Sequence, residues 1–183
     1  MATSSLIRTA TPADAPALAR VHLLSWQTAY RGHLPDGFLD TLMDGYPARV
    51  LKWQGILSLE HPGASLTFVV DLPGAGLVGF ASVGPAREGS GRFVGEVYAI
   101  YLLAEKRGRG YGRALMLRCS EHLHSLGLFN LMVWMLQSNP AGAFYRSLGG
   151  ALVEGMTRRQ VVGGLEVTDV VYGWDQLPSA PTR

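Results

Sequence analysis

A glycine-rich turn between a strand-like segment and a helix-like segment is the feature that most constrains this chain of 183 residues. The β-branched and aromatic segment ends at Leu102, the turn reads Arg107-Gly108-Arg109-Gly110-Tyr111-Gly112, and a helical pattern follows to Leu126. Glycines let a ligand approach the main chain closely, and the first N–H groups of a helix have no partner within the helix. The turn therefore predicts a phosphate-binding site.

The spacing of the glycines excludes two well-known phosphate loops. A dinucleotide-binding fingerprint requires glycine where the chain has Arg113, and a P-loop ends in Gly-Lys-Ser or Gly-Lys-Thr, which is absent. The pattern is instead Arg-x-x-Gly-x-Gly, beginning at Arg107, and it resembles the acyl-CoA-binding motif of the GCN5-related N-acetyltransferase (GNAT) superfamily. The alternative is an ordinary strand-turn-helix connection, because glycine is common in turns.

Basic residues crowd around this turn although the formal net charge of the chain is only +2. Cations at a helix N-terminus oppose the helix dipole, so the cluster suits a bound polyanion. A nucleic acid is a poor match, because the cluster is short and lacks interleaved aromatic residues. The resemblance implies that acetyl-CoA is the cosubstrate, held by Arg107, Gly108, Arg109, Gly110, Tyr111, Gly112 and Arg113.

Length and composition suit one globular domain, since 48% of the residues are hydrophobic and 16% are charged. We expect a single GNAT domain over residues 1–175 and a loose tail over 176–183. Cys119 is the single cysteine, which excludes an intrachain disulfide; it is expected to pack in the core, and no metal is expected. With no long apolar run and no signal segment, we expect a cytoplasmic protein without membrane contact.

Hydrophobic periodicity predicts seven strands, over residues 6–10, 65–71, 77–83, 96–102, 131–136, 151–156 and 167–174. The continuous apolar run at 131–136 is typical of a strand buried on both faces. Helices are expected over 11–30, 36–43, 111–126 and 139–149, with a further segment at 47–59. This order resembles that of a GNAT domain, and it implies an α/β fold of the α+β type, with a mixed central sheet of about seven strands flanked by about four helices.

A second segment, from Asn139 to Gly150, is similar to the family's Asn-x-x-Ala-x-x-Phe-Tyr-x-x-x-Gly-Phe stretch. It departs from that stretch in two ways, because the alanine is displaced by one position and Gly150 replaces phenylalanine. The resemblance assigns Tyr145 as the acid that protonates the leaving thiolate; the alternative is a core aromatic. Asn139 can cap the following helix, contact the pantetheine arm of CoA, or do both.

Direct transfer to an amine requires that the amine lose a proton. At pH 7 an alkylammonium is uncharged only about once in 2,500 molecules, a cost of roughly 4.6 kcal/mol. Glu96, which opens the central strand, is the candidate base, acting directly or through water; a solvated or substrate-positioning glutamate is the alternative. The resemblance further implies that the main chain of Ile100, Tyr101 and Leu102 pairs with the pantetheine arm and donates to the thioester carbonyl.

The acceptor site has a weaker signal. His22, Trp26 and Tyr30 are spaced by four residues, so they form an aromatic stripe on one face of the first helix. In GNAT proteins this region often walls the acceptor pocket, whereas a core or interface role is the alternative. We expect an N-acetyltransferase for a small-molecule primary amine. A protein N-terminus or lysine as acceptor, and a non-catalytic acyl-CoA sensor, stay open, and the resemblance makes a homodimer plausible.

Overall fold

A computed structural model describes residues 6–59, 64–87 and 89–179. Within these ranges the chain forms seven β-strands and five α-helices. In chain order they are β1 (Ile7–Thr9), α1 (Ala15–Ala29), α2 (Asp36–Asp40), α3 (Tyr46–Leu59), β2 (Leu66–Leu72), β3 (Gly76–Pro85), β4 (Gly95–Leu102), α4 (Tyr111–Ser125), β5 (Leu131–Leu136), α5 (Gly142–Ser147), β6 (Ala151–Val162) and β7 (Leu165–Trp174). The expected mixed fold is confirmed, and the segment at 47–59 is a full helix.

All seven strands join one sheet in the order β1-β2-β3-β4-β5-β7-β6. Only β4 and β5 run parallel, because α4 connects them by a crossover. The other neighbouring pairs are antiparallel. The parallel pair thus lies in the middle of the sheet, with the glycine-rich turn at the carboxyl end of β4.

Each face of the sheet carries its own helices. Helices α1 and α3 pack on one face, called the α1 face here, against Val69, Leu77 and Phe80. Helix α4 packs on the opposite face, the α4 face, where Leu115, Met116 and Cys119 of that helix are fully buried. The expectation that Cys119 packs in the core is confirmed. Burial raises the pKa of its thiol far above the usual value, so the thiolate is not accessible.

Two local features differ from the prediction. The last helix begins at Gly142 and not at Pro140, because the Asn139 Oδ1 atom accepts a hydrogen bond from the Ala141 N–H at 2.9 Å and forms a turn. Strand β6 extends to Val162 rather than ending near residue 156, since its partner β7 continues the ladder to a hairpin at Gly163 and Gly164. Hydrophobic alternation in β6 is weak, because most of its side chains are exposed.

The ends of the described chain carry few regular elements. The predicted tail begins at residue 176, and within it the Leu177 N–H donates to the Phe129 carbonyl at 3.2 Å. Residues 180–183 of that tail lie outside the described residues. In the part of the chain that the structure describes, no helix has both the length and the apolar character needed to span a membrane.

Candidate active site

The two parallel strands at the centre of the sheet separate after three paired residues. Strand β4 pairs with β5 only from Gly95 to Val97, opposite Leu131 to Val133. A bulge at Tyr98 accompanies the separation, because Val97 pairs with Val83 and Ala99 pairs with Ser82, which leaves Tyr98 without an opposite residue on β3. The result is a split in the sheet, bordered by the second half of β4 and by the end of β5.

Main-chain groups of β4 face this split. The Leu103 N–H donates to the Val78 carbonyl of β3 at 2.9 Å. Because N–H groups alternate in direction along a strand, the Tyr101 N–H points to β3, whereas those of Ile100 and Leu102 point into the split. No strand pairs with that edge of β4 beyond Val97 in the described ranges. An extended ligand can pair with these groups as an added strand does.

The glycine-rich turn lies at the mouth of the split. Gly108 and Gly110 have left-handed backbone conformations, with φ of 71° and 84°. Gly112 lies against both sides of the split, because a Cβ atom there would be 3.1 Å from the Phe144 ring and 3.6 Å from the Leu102 side chain. The sequence thus uses glycine where the backbone must turn and where α4 approaches its neighbours.

Free N–H groups converge at the start of α4. The first N–H group with a helical partner is that of Ala114, which donates to the Gly110 carbonyl at 3.0 Å. Within the described residues, the backbone N–H groups of the five preceding residues, 109–113, make no hydrogen bond, and no side chain caps the helix. Together with the helix dipole, these donors make a strong anion site.

The basic side chains around the turn divide into two groups. Arg107 is attached to the scaffold: its Nε donates to the Leu102 carbonyl at 3.3 Å and its Nη2 donates to Thr28 Oγ1 at 3.1 Å. Arg109 and Arg113 form no ion pair with a described residue. Arg107 therefore ties β4 to α1, while Arg109 and Arg113 are available to a bound polyanion.

A phenol cluster, formed by Tyr30, Tyr101 and Tyr145, lies at the split, and two of its hydroxyls are in contact. The hydroxyls of Tyr30, at the end of α1, and Tyr101, on β4, are 3.2 Å apart. Burial raises the pKa of Tyr30; the Tyr101 hydroxyl and Asn139 lower it, and Asp169 raises it. Burial also raises the pKa of Tyr101, with further contributions from Tyr30 and Tyr145. Tyr145 packs on the α4 face and interacts electrostatically with both of these phenols.

Tyr145 is nearly inaccessible, with 5% of its surface exposed. Its ring centroid lies 5.6 Å from that of Tyr172 and 5.9 Å from that of Trp174. Burial, with a smaller contribution from Tyr30, raises the pKa of Tyr145 above its usual value. The phenol thus stays protonated at neutral and moderately alkaline pH, the form that a proton donor requires.

Glu96 lies beside the closed end of the split. Glu96 is 1% exposed and is paired in register with Met132, so the two side chains lie on the same face of the sheet, the α1 face. Arg87 holds the carboxylate: its backbone N–H donates to Oε2 at 3.1 Å, its Nε donates to the same atom at 3.0 Å, and its Nη2 donates to Oε1. The hydrogen bond to Glu96 raises the pKa of Arg87.

Comparison with known proteins agrees with this geometry. Residues 23–149 match the sequence model of the acetyltransferase (GNAT) family. The chain belongs to that family. The uncharacterized N-acetyltransferase YuaI of Bacillus subtilis strain 168 is 32% identical over 176 residues, which cover 96% of each chain. GNAT acetyltransferases are acyltransferases, so this chain is one by membership.

Solved GNAT structures share the fold. One is the PaiA N-acetyltransferase of Thermoplasma acidophilum in complex with coenzyme A. Its sequence is 18% identical to this chain, and the two structures superpose with a TM-score of 0.66 over 91% of this chain and 96% of that one. Another is YncA of Salmonella typhimurium, a putative acetyltransferase with its cofactor acetyl-CoA. Its sequence is 21% identical to this chain, and the two structures superpose with a TM-score of 0.65 over 97% of this chain and 96% of that one.

The aromatic stripe of this GNAT protein faces the sheet. His22 stacks on Tyr101 with ring centroids 5.2 Å apart, and Trp26 meets Tyr30 edge to face at 4.7 Å. Burial, with the positive charges of Arg49 and Lys52, lowers the pKa of His22 to about 3, so its ring is neutral near pH 7. The predicted acceptor residues therefore pack together on the α1 face, and one of them, Tyr30, belongs to the phenol cluster.

Sequence reasoning missed four residues that form or contact buried Arg–carboxylate pairs: Arg87, Trp134, Arg158 and Asp169. Asp169 is an acidic residue among apolar neighbours in the second half of β7, and this pattern could have marked it as a functional candidate. The other three carry no such signal, because their positions depend on which strands pair and in which register. Two Arg–carboxylate pairs, one at Glu96 and one at Asp169, thus hold a buried carboxylate.

Proposed function

We propose that this GNAT protein transfers an acetyl group from acetyl-CoA directly to the primary amine of a small acceptor. The observation that carries the proposal is the convergence, at one split in the sheet, of free N–H donors, a protonated phenol and a buried carboxylate. The free amides at 109–113, with Arg109 and Arg113, suit the pyrophosphate of CoA. The edge of β4 and Asn139 suit its pantetheine arm.

The chemistry assigns one role to each group. The N–H groups of Ile100 and Leu102 stabilise the negative charge that develops on the thioester oxygen. Glu96 accepts the proton of the attacking amine, directly or through water, and the Arg87 guanidinium orients its carboxylate. As the new C–N bond forms and the C–S bond breaks, Tyr145 donates its proton to the CoA sulfur.

A covalent acyl-enzyme is not part of this proposal. Cys119 is fully buried in the α4 face, and burial raises the pKa of its thiol, so it is a poor nucleophile.

We propose that residues 1–175 act as one domain and that the protein is cytoplasmic. A chain whose single cysteine is buried suits the reducing environment of the cytoplasm. A homodimer stays a prediction.

Thiol release from acetyl-CoA, measured with a broad panel of small primary amines, tests the proposal. The panel includes two peptides, one with a free N-terminus and one with an internal lysine. We expect release that depends on a small amine. Release with the peptides alone would instead favour a protein acceptor, and CoA binding without release for any member would favour a sensor.

The role of Glu96 is tested by the pH dependence of the Glu96→Gln variant. We expect transfer to slow by roughly 10²–10⁴-fold at neutral pH. The loss should shrink as pH rises toward the pKa of the amine, because free amine then forms without a base. A variant with the wild-type pH–rate profile excludes Glu96 as the base.

A further inference from the structure

The second Arg–carboxylate pair lies on the α1 face, between β5 and β6. Asp169 of β7 is opposite Leu136 on one side and Arg158 on the other. Its side chain is 6% exposed. The Oδ2 atom accepts hydrogen bonds from Arg158 Nε at 2.8 Å and from Gln160 Nε2 at 2.6 Å. Asp169 thus fixes the orientation of the Arg158 guanidinium.

An aromatic ring holds the same guanidinium from the other side. The Cζ atom of Arg158 lies 4.5 Å from the centroid of the Trp134 ring, a cation–π contact. Trp134 follows Val133, the last residue of β5 that pairs with β4. The guanidinium therefore lies over β5, one of the two strands that border the split.

The terminal nitrogens of Arg158 are available to a ligand. The side chain is 49% exposed, whereas its partner Asp169 is buried beneath it. Only Nε is used by the carboxylate, and within the described residues Nη1 and Nη2 make no hydrogen bond. A planar, fixed pair of N–H donors matches the two oxygens of a carboxylate. A cationic acceptor, by contrast, meets a like charge first.

We propose that Arg158 binds a carboxylate of the acceptor, which makes the acceptor an amine that carries a carboxylate near the amino group, such as an α-amino acid. This inference rests on the proposed function and names its substrate class. Asp169 and Trp134 act as positioning residues, because they hold the guanidinium and are themselves covered by it.

The candidate base and the aromatic ring under Arg158 share one face of the sheet. Glu96 is in register with Met132, and Trp134 is two residues farther along β5 on the same face. A carboxylate bound by Arg158 is therefore on the same face of the sheet as the Glu96 carboxylate.

The test compares pairs of acceptors that differ only by the carboxylate, L-phenylalanine with phenethylamine and L-leucine with isoamylamine. Thiol release gives kcat/KM for each. We expect the wild-type protein to prefer the amino acid of each pair, by about 10- to 150-fold, the worth of a hydrogen-bonded charge. Arg158→Gln should abolish this preference because kcat/KM falls for the amino acids alone, and KM for acetyl-CoA should stay within about twofold of the wild-type value.

Arg159→Gln is the matched control. Arg159 is the next residue of β6, is exposed, pairs with Thr168, and has no ion pair among the described residues, so its side chain points to the opposite face. Its removal should leave the preference intact. Because Arg158→Gln leaves a buried carboxylate without its cation, the double variant Arg158→Gln/Asp169→Asn removes both charges; it should fold and should show the same loss of preference.

Binding gives a second readout that needs no turnover. Calorimetry titrates N-acetyl-L-phenylalanine into the CoA-saturated protein and into the same variants. Binding to the wild type and to Arg159→Gln, with a loss of at least about 10-fold in affinity for the two Arg158 variants, supports the carboxylate site. This result, obtained without any thiol release, would refute the proposed transfer while leaving the anion site in place.

Three results overturn the inference. One is equal loss of kcat/KM for both members of a pair in Arg158→Gln. Another is a wild-type preference for the plain amines. The last is no binding of the N-acetyl amino acid to the wild type. In each of these cases the proposed acetyl transfer to some amine can still hold.

Discussion

Two glycines at opposite ends of α4 share a left-handed backbone, but only one of them borders the free N–H groups. Gly110 precedes the helix with φ of 84°, and Gly127 follows it with φ of 73°. A Cβ atom at either position meets no other atom within 4 Å. Alanine at either site therefore strains the backbone alone, by about 1–2 kcal/mol.

This symmetry allows a controlled test of the anion site. We expect Gly110→Ala and Gly127→Ala to lower the free energy of unfolding by similar amounts, and Gly110→Ala alone to weaken CoA binding, by at least about 10-fold, because it distorts the donors at 109–113. Calorimetry with CoA and denaturant unfolding of both variants give the comparison. Unchanged CoA affinity in folded Gly110→Ala contradicts the assignment.

A variant of Tyr145 can distinguish a role in proton transfer from a role in acetyl-CoA binding. Tyr145→Phe keeps the ring that contacts Tyr172 and Trp174 and removes the proton donor. We expect acetyl-CoA affinity to change little and transfer to slow by roughly 10²–10⁴-fold. Thermal unfolding is measured in parallel, because a buried hydroxyl can also support structure. Wild-type rates with a true acceptor exclude Tyr145 as the required acid, and parallel losses of stability and CoA affinity favour a structural role.

At the scale of elements, the clearest prediction concerns β4, because its N–H groups point alternately to β3 and into the split. Hydrogen exchange followed by NMR should show new protection of the Ile100 and Leu102 amides when CoA is added. The Tyr101 amide, directed at β3, and the amides of β5, which pairs with β7 over Leu131–Leu136, should change little. Protection of Tyr101 without Ile100 and Leu102 contradicts the strand-like mode of binding.

The sequence predicts elements better than it predicts the contacts between them. Local signals were sufficient for the glycine turn and the buried strand β5, since residue type and period determine both. The start of α5 was misjudged because the Asn139 side chain forms a turn in place of the helix cap. The Arg158–Asp169 pair needed the β6–β7 register, which contains an irregularity between Leu152 and Thr157 that no local pattern reveals.

The described elements are built around one sheet, so we expect the proposed domain to unfold in a single transition. CoA should raise the midpoint temperature of that whole transition. A ligand at 100 times its dissociation constant adds about 2.7 kcal/mol to stability. For a domain of this size that corresponds to a rise in Tm of about 5–10 °C. Calorimetric scans with and without CoA test this. Two transitions, of which only one responds to CoA, contradict the single domain.

The central claim is that acetyl moves from CoA to an amine in a site formed by the split between β4 and β5. Mass spectrometry of the reaction with isotopically labelled acetyl-CoA and L-phenylalanine tests it most directly. The account predicts labelled N-acetyl-phenylalanine in an amount equal to the CoA thiol released, no labelled protein, and a rate that falls with Tyr145→Phe. Thiol release without labelled amide for any amine, or a stable label on the protein, would contradict it.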